Sequence, residues 1–138
     1  DEEKHFIQEK ENLNSNKAGI IFEIEGIDVK LGMSNVLDDE KLYKDILKMF
    51  YQDHHHDANK LTTAIKSHDV QASKHLAHTL KGVACSVGAM PLFEAAKLLD
   101  TAINEQNFDS FTALLQGVTA ELEIVMCDIN EELIVSAA

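Results

Sequence analysis

The stretch DVQASKHLAHTLKGVACSVG, residues 69–88, decides how this chain folds. Its apolar residues recur at threes and fours, the period of one helix face and not of a strand. Asp69 stands where an N-cap is needed and Gly88 where helices commonly end, so the spacing predicts a helix over 70–87. At about 100° per residue, Leu76, Leu80, Val83 and Val87 share one direction and form the core stripe. His78 lies nearly opposite, surrounded on the outer face by Gln71, Lys74, His75, Lys81, Gly82 and Cys85.

Two features of that outer face resist a purely structural explanation. Gly82 sits mid-helix, where glycine costs about 0.5–1 kcal/mol relative to alanine, and an exposed position has little packing reason to lose its side chain. Lys74 and Lys81 flank His78 one turn before and one turn after, in a chain whose formal net charge is −12. The outer face is therefore a local positive spot with one flattened edge. It suits an anion carried by something bulky.

Working outward, Pro91 suits the first turn of a following helix whose apolar positions are Leu92, Ala95, Ala96, Leu99 and Ile103. After a turn at Asn104–Asn107, the residues Phe111, Leu114, Leu115, Val118, Leu122, Val125, Ile129 and Leu133 repeat at threes and fours, predicting a last helix over 109–134. Upstream, Asp38 and Asp39 are N-cap candidates. Leu42, Ile46, Met49, Phe50, Leu61 and Ile65 then outline a long first helix over 40–66, projecting or kinked at the polar DHHHDANK. No useful length alternates with period two. The expectation is an all-α, antiparallel up-down-up-down four-helix bundle, preceded around Gly19–Gly32 by one short helix or an irregular segment. Residues 1–25, polar and weakly periodic at their start, read as a tether, and residues 26–138 as the domain.

Composition narrows the function. At 138 residues the chain fits one domain, and 45% apolar content with one proline suits a helical globular protein. The acidic balance argues against nucleic acid or an anionic membrane as partner, since either needs clustered cations. Cys85 and Cys127 match no metal-ligand spacing and read as thiols of a reducing, cytoplasmic environment. No uninterrupted apolar run is long enough to span a bilayer; a membrane anchor, expected at the inner membrane, would lie in segments of a parent protein not present here.

The chemistry that fits His78 is phosphoryl transfer to an imidazole nitrogen. Exposed histidines are largely neutral near physiological pH and attack without a dedicated base. Lys81, at i+3, can meet the phosphoryl oxygens, and Gly82 clears the approach of the protein that brings them.

These residues resemble a known family. The stretch HLAHTLKGVACSVGAMPLFEAAKLLDTAI is similar to the signature of histidine phosphotransfer domains: His78, Leu80, Lys81, Gly82, a small residue at Cys85, Gly88-Ala89, then Leu92, Ala96 and Leu99. GIDVKLGMSNVLDDEKLYKDILKMF resembles the opening of such domains at the C-termini of bacterial hybrid sensor kinases, and the likeness runs over residues 26–125. Pro91 after the Gly-Ala pair and Ser86 in place of a frequent Asn are departures outside the His-Lys-Gly core. The resemblance implies a carrier, and not an enzyme, that accepts a phosphoryl group on Nε2 of His78 from an aspartyl phosphate of a receiver domain and passes it to another. It implies Lys81 as phosphoryl stabiliser, Gly82 as access, and Gln71, Lys74, His75 and Cys85 as partner-binding residues. No cofactor is implied for the chain itself, Mg²⁺ being supplied by the receiver. The expected partners are receivers of response regulators and of a hybrid kinase, met by a monomer.

Other readings compete. His75 and His78, or the cluster Asp53, His54, His55, His56 and Asp57, raise a metal-binding bundle, but consecutive histidines point in different directions on a helix and no HExxH is present, so the cluster reads as a solvated helix end. A kinase dimerisation domain expects an acidic residue after the histidine and a proline shortly beyond, where this chain has Thr79 and Val83. A non-catalytic interaction bundle predicts loss of the nucleophile, and His78 is present.

Overall fold

The computed structural model describes residues 22–135; the tether expected at residues 1–25 lies almost wholly outside them. Helix α1 (Val29–Ser34) is followed by α2 (Glu40–His54), α3 (Asp57–Lys66), α4 (Val70–Val87), α5 (Met90–Asn104) and α6 (Phe111–Ile129). A 3₁₀ turn at Phe108–Ser110 precedes α6, and a π-helical turn at Asn130–Val135 extends it. No strand occurs among the described residues. The arms of the antiparallel bundle are α2 with α3, then α4, α5 and α6, each packed on its neighbour in the chain, and α3 closes the ring against α6.

Local chemistry fixes the boundaries. Asp39 accepts from the Leu42 N–H at 3.0 Å and Asp69 from the Ala72 N–H at 3.1 Å, so α2 and α4 begin at side-chain caps. Pro91 occupies the first turn of α5, where its missing N–H leaves no hydrogen bond unmade. The core is built from Leu47, Leu61, Leu80, Leu92, Leu99, Val118, Val125 and Ile129, all fully buried. Each large side chain buried in this way contributes about 1.5–3 kcal/mol relative to an exposed position.

Three sequence expectations need correction. The single helix over 40–66 is two helices, broken at His55 and His56. The DHHHD cluster is also not simply a solvated helix end: Asp57 is buried, and its Oδ2 lies 2.8 Å from His54 Nδ1, so the break is stitched by a side-chain pair. Finally, the core side of α4 is centred on Ser73, Ala77, Leu80, Ala84 and Val87, while Leu76 and Val83 are only half-buried. The helix is turned by roughly 50° from the orientation that its large side chains alone suggest. The small residues Ala77 and Ala84 allow close backbone approach to neighbouring helices, which side-chain hydrophobicity does not register.

The C-terminal end of α4 is sealed by the N-terminal segment. Gly88 caps the helix at φ +87°, and a Cβ there would run into the Asp28 carbonyl. The Asp28 N–H donates to the Gly88 carbonyl at 2.8 Å, Asn35 Nδ2 to the Ser86 carbonyl at 2.8 Å, and the buried Tyr43 hydroxyl to the Val87 carbonyl at 2.6 Å. Three successive carbonyls at the helix end are thus satisfied by residues more than 40 positions away. Gly32 lies in the same seam, where a Cβ would collide with Val87 and the Tyr43 ring.

By length and composition, Phe108–Val135 is apolar enough to cross a membrane, with a mean hydropathy of 1.2. Here Val118, Leu122, Val125, Met126, Ile129 and Leu133 of that stretch are buried in the bundle core.

Candidate functional site

His78 stands at the middle of α4 (Val70–Val87), a helix that is held at both termini. Its side chain is 73% exposed. Gln71, Lys74, His75, Gly82 and Cys85 are exposed on the same face, so the structure brings together the outer-face residues expected from the sequence, Lys81 excepted. A Cβ built on Gly82 would meet nothing within 4 Å. No intramolecular packing requirement keeps that position bare.

Lys81 takes a different place. The rotation of α4 tips it toward α5, leaving its side chain 26% exposed, and its Nζ lies 3.0 Å from Oδ2 of Asp100. The same carboxylate oxygen is 3.7 Å from His78 Nδ1. That separation exceeds a direct hydrogen bond, yet it sets a negative charge on the Nδ1 side of the ring. Asp100 is 6% exposed and is one of the few buried polar residues in the bundle. Lysine, carboxylate and imidazole therefore form a linked row across the α4–α5 seam.

Asp100 was not singled out by the sequence. A signal existed: on α5 it sits at the border of the apolar stripe Leu92, Ala96, Leu99 and Ile103, where a buried carboxylate needs a cation. Which cation could not be told without the register of α4 against α5.

The arrangement has a chemical consequence. A carboxylate near Nδ1 favours the tautomer with its proton on Nδ1, leaving the lone pair of Nε2 directed to solvent. Lys81 can swing part of its charge from Asp100 toward an anion bound at Nε2. Among the described residues, no group of three His, Cys, Asp or Glu side chains is placed to hold a metal ion. Cys85 and Cys127 are both exposed, free thiols.

A helical bundle that displays an exposed histidine, with a lysine one turn on and a bare glycine beside it, defines the class of histidine-presenting signalling modules. The sequence profile of the Hpt domain matches residues 45–126, more than half of the chain, and the chain belongs to this family. Its role is accordingly histidine phosphotransfer in two-component phosphorelay. Among solved structures it is similar to the HPt domain from the Hpt sensor hybrid histidine kinase from Shewanella, with a TM-score of 0.72 at 17% identity. That match covers 84% of this chain and 98% of the other, and it shows the shared fold. Comparison with curated protein sequences returns no match.

Proposed function

We propose that the chain takes a phosphoryl group from an aspartyl phosphate of one receiver domain onto Nε2 of His78 and delivers it to an aspartate of a second receiver. The observation that carries this reading is the exposed His78 ring with Asp100 on its Nδ1 side and Lys81 alongside. In the forward step the Nε2 lone pair attacks phosphorus, the N–P bond forms as the acyl O–P bond breaks, and the aspartate leaves as carboxylate. The ring, which keeps its Nδ1 proton, becomes a phosphoimidazolium facing Asp100. Onward transfer reverses these bond changes, with no proton to relocate.

Lys81 shares its charge with the phosphoryl oxygens, and Gly82 lets the receiver approach within contact of α4. Gln71, Lys74, His75 and Cys85 supply the rim of that contact. Among the described residues, the carboxylate within 4 Å of His78 is that of Asp100, already engaged by Lys81, which gives too few oxygens for a Mg²⁺ site. This supports a division of labour in which metal and most catalytic groups come with the receiver, and the bundle acts as a carrier.

The test is to incubate the chain with phosphorylated receiver domains from its source organism and follow acid-labile, base-stable label. Wild type is expected to gain label and His78→Gln to gain none. Undiminished labelling of His78→Gln overturns the assignment.

A further inference from the structure

From residue 67 to the C-terminus the chain carries only three cations, Lys74, Lys81 and Lys97, against ten carboxylates. Lys74 and Lys81 are on the His78 face. Lys97 is on α5, one turn before Asp100, so it lies along the flank that borders the same site. The contacts of Asp100 with His78 and Lys81 set the register of the α4–α5 hairpin, and with antiparallel helices this puts Lys97 about level with Lys81 and Gly82. The C-terminal half thus collects all its positive charge around one histidine.

Lys97 is also uncommitted. It is exposed, and among the described residues it has no ion-pair partner within 4 Å. Its Nζ lies 5.9 Å from the centre of the Phe93 ring, one turn earlier on α5, and Phe93 is itself packed against the core. A cation over a ring at that distance on an exposed flank adds little stability. It leaves the ammonium group over the Phe93 ring and open to a stronger anionic partner.

Resting on the receiver-transfer reading above, we propose that Lys97, which lies over Phe93, is a docking contact on α5 for an acidic group at the margin of the incoming receiver. Charge complementarity favours this partner. An aspartyl phosphate is itself anionic, and a Mg²⁺ beside it requires carboxylate oxygens, so the donor arrives rich in negative charge. Lys81 is already shared with Asp100. Lys97 is the cation on the α5 side that can answer the remainder, giving the receiver a fixed orientation across α4 and α5.

The test uses the full chain and the source-organism receiver that labels wild type fastest. Lys97→Glu and Lys97→Gln are compared with Lys60→Glu, which makes the same net-charge change on exposed α3. The expected result is a rise in KM for receiver transfer, about tenfold for Lys97→Glu and smaller for Lys97→Gln, with little change in kcat. The difference should shrink as ionic strength is raised from about 0.01 to 0.15 M and the screening length falls from about 30 to 8 Å. Labelling of His78 by phosphoramidate, a donor too small to use the docking surface, should be equal in all variants. Transfer kinetics of Lys97→Glu that match those of Lys60→Glu, or a loss insensitive to salt, overturn the proposal and leave His78 as acceptor. Failure of wild type to take label from phosphoramidate and from every receiver overturns the transfer reading, and this inference with it.

Discussion

Replacing Gly82 by alanine is expected to make the protein more stable and a poorer phosphoryl acceptor. The added Cβ would meet nothing within 4 Å, so no clash opposes it and no packing rewards it. The remaining effect is helix propensity, which favours alanine over glycine in a helix interior by about 0.8–1.0 kcal/mol. A gain of about 1 kcal/mol shifts the unfolding equilibrium by roughly fivefold and the midpoint by about 2–4 °C for a domain of this size. Glutamine, also a good helix former, should keep much of that gain while filling the space over α4. If a receiver packs there, its displacement carries a penalty of the order seen on overpacking, about 1–3 kcal/mol, or roughly 5- to 150-fold in transfer. The assays are urea or thermal unfolding followed by circular dichroism, and the second-order rate of receiver-to-His78 transfer. Stabilised Gly82→Ala and Gly82→Gln variants that transfer at wild-type rate would refute the argument that position 82 is bare for access. A destabilised Gly82→Ala would refute the reading of the position as free of packing.

Other perturbations separate scaffold from site. Tyr43→Phe should lower stability by about 1–3 kcal/mol by leaving the buried Val87 carbonyl without its donor, measured by chemical denaturation. Burial first, and the Asp28 charge second, push the Tyr43 phenol above its ordinary range. Its contribution is therefore complete below the ordinary tyrosine value of about 10 and is lost as pH rises beyond it, so the wild-type advantage over Tyr43→Phe should hold from pH ~7 to ~9 and shrink above ~10. Gly32→Ala should cost about 1–3 kcal/mol because its Cβ meets Val87 backbone and the Tyr43 ring, visible as a lowered thermal midpoint with His78 labelling by phosphoramidate retained below it. Asp100→Asn should leave the fold in place, since the amide fills the same volume, but slow phosphoramidate labelling of His78 severalfold by removing the charge beside Nδ1; labelling at wild-type rate would refute the role assigned to that carboxylate.

The site's main axis could be read from the sequence because it depends on one helix. Once residues 70–87 are wound at 3.6 per turn, His78 and Gly82 fall on the outer side, and only Lys81, at the edge of that face, depends on how the helix is turned against α5. The contributions of other elements were not legible in the same way. Asp100 reaches the site only through the α4–α5 register, and the Tyr43 bond to Val87 spans 44 residues. The orientation of α4 was read about 50° off for a related reason: Leu76 and Val83 dominate a hydrophobic wheel, but Ala77 and Ala84 decide which side can come close to another helix. Likewise, Leu61 and Ile65 resume in helical phase with Phe50 beyond the polar DHHHDANK, so periodicity suggests a kink in one helix where the structure has a break at His55 and His56.

The way α4 is fixed bears on how a carrier works. On the proposed function, a donor and an acceptor each bring an aspartate in line with the same nitrogen, and a transfer geometry loosened by 1 Å loses rate steeply. In this bundle the imidazole is exposed while its support is not. Asp69 closes the N-terminal turn of α4, and the Asp28–Tyr43 segment closes its C-terminal turn. Asp100, buried on α5, then sets the charge beside the ring while itself shielded from solvent. Lys81 is paired with that carboxylate and can be shared with an anion that arrives at the ring. On the proposed relay such sharing is useful, because a group held too tightly on the ring would be accepted readily and then passed on slowly.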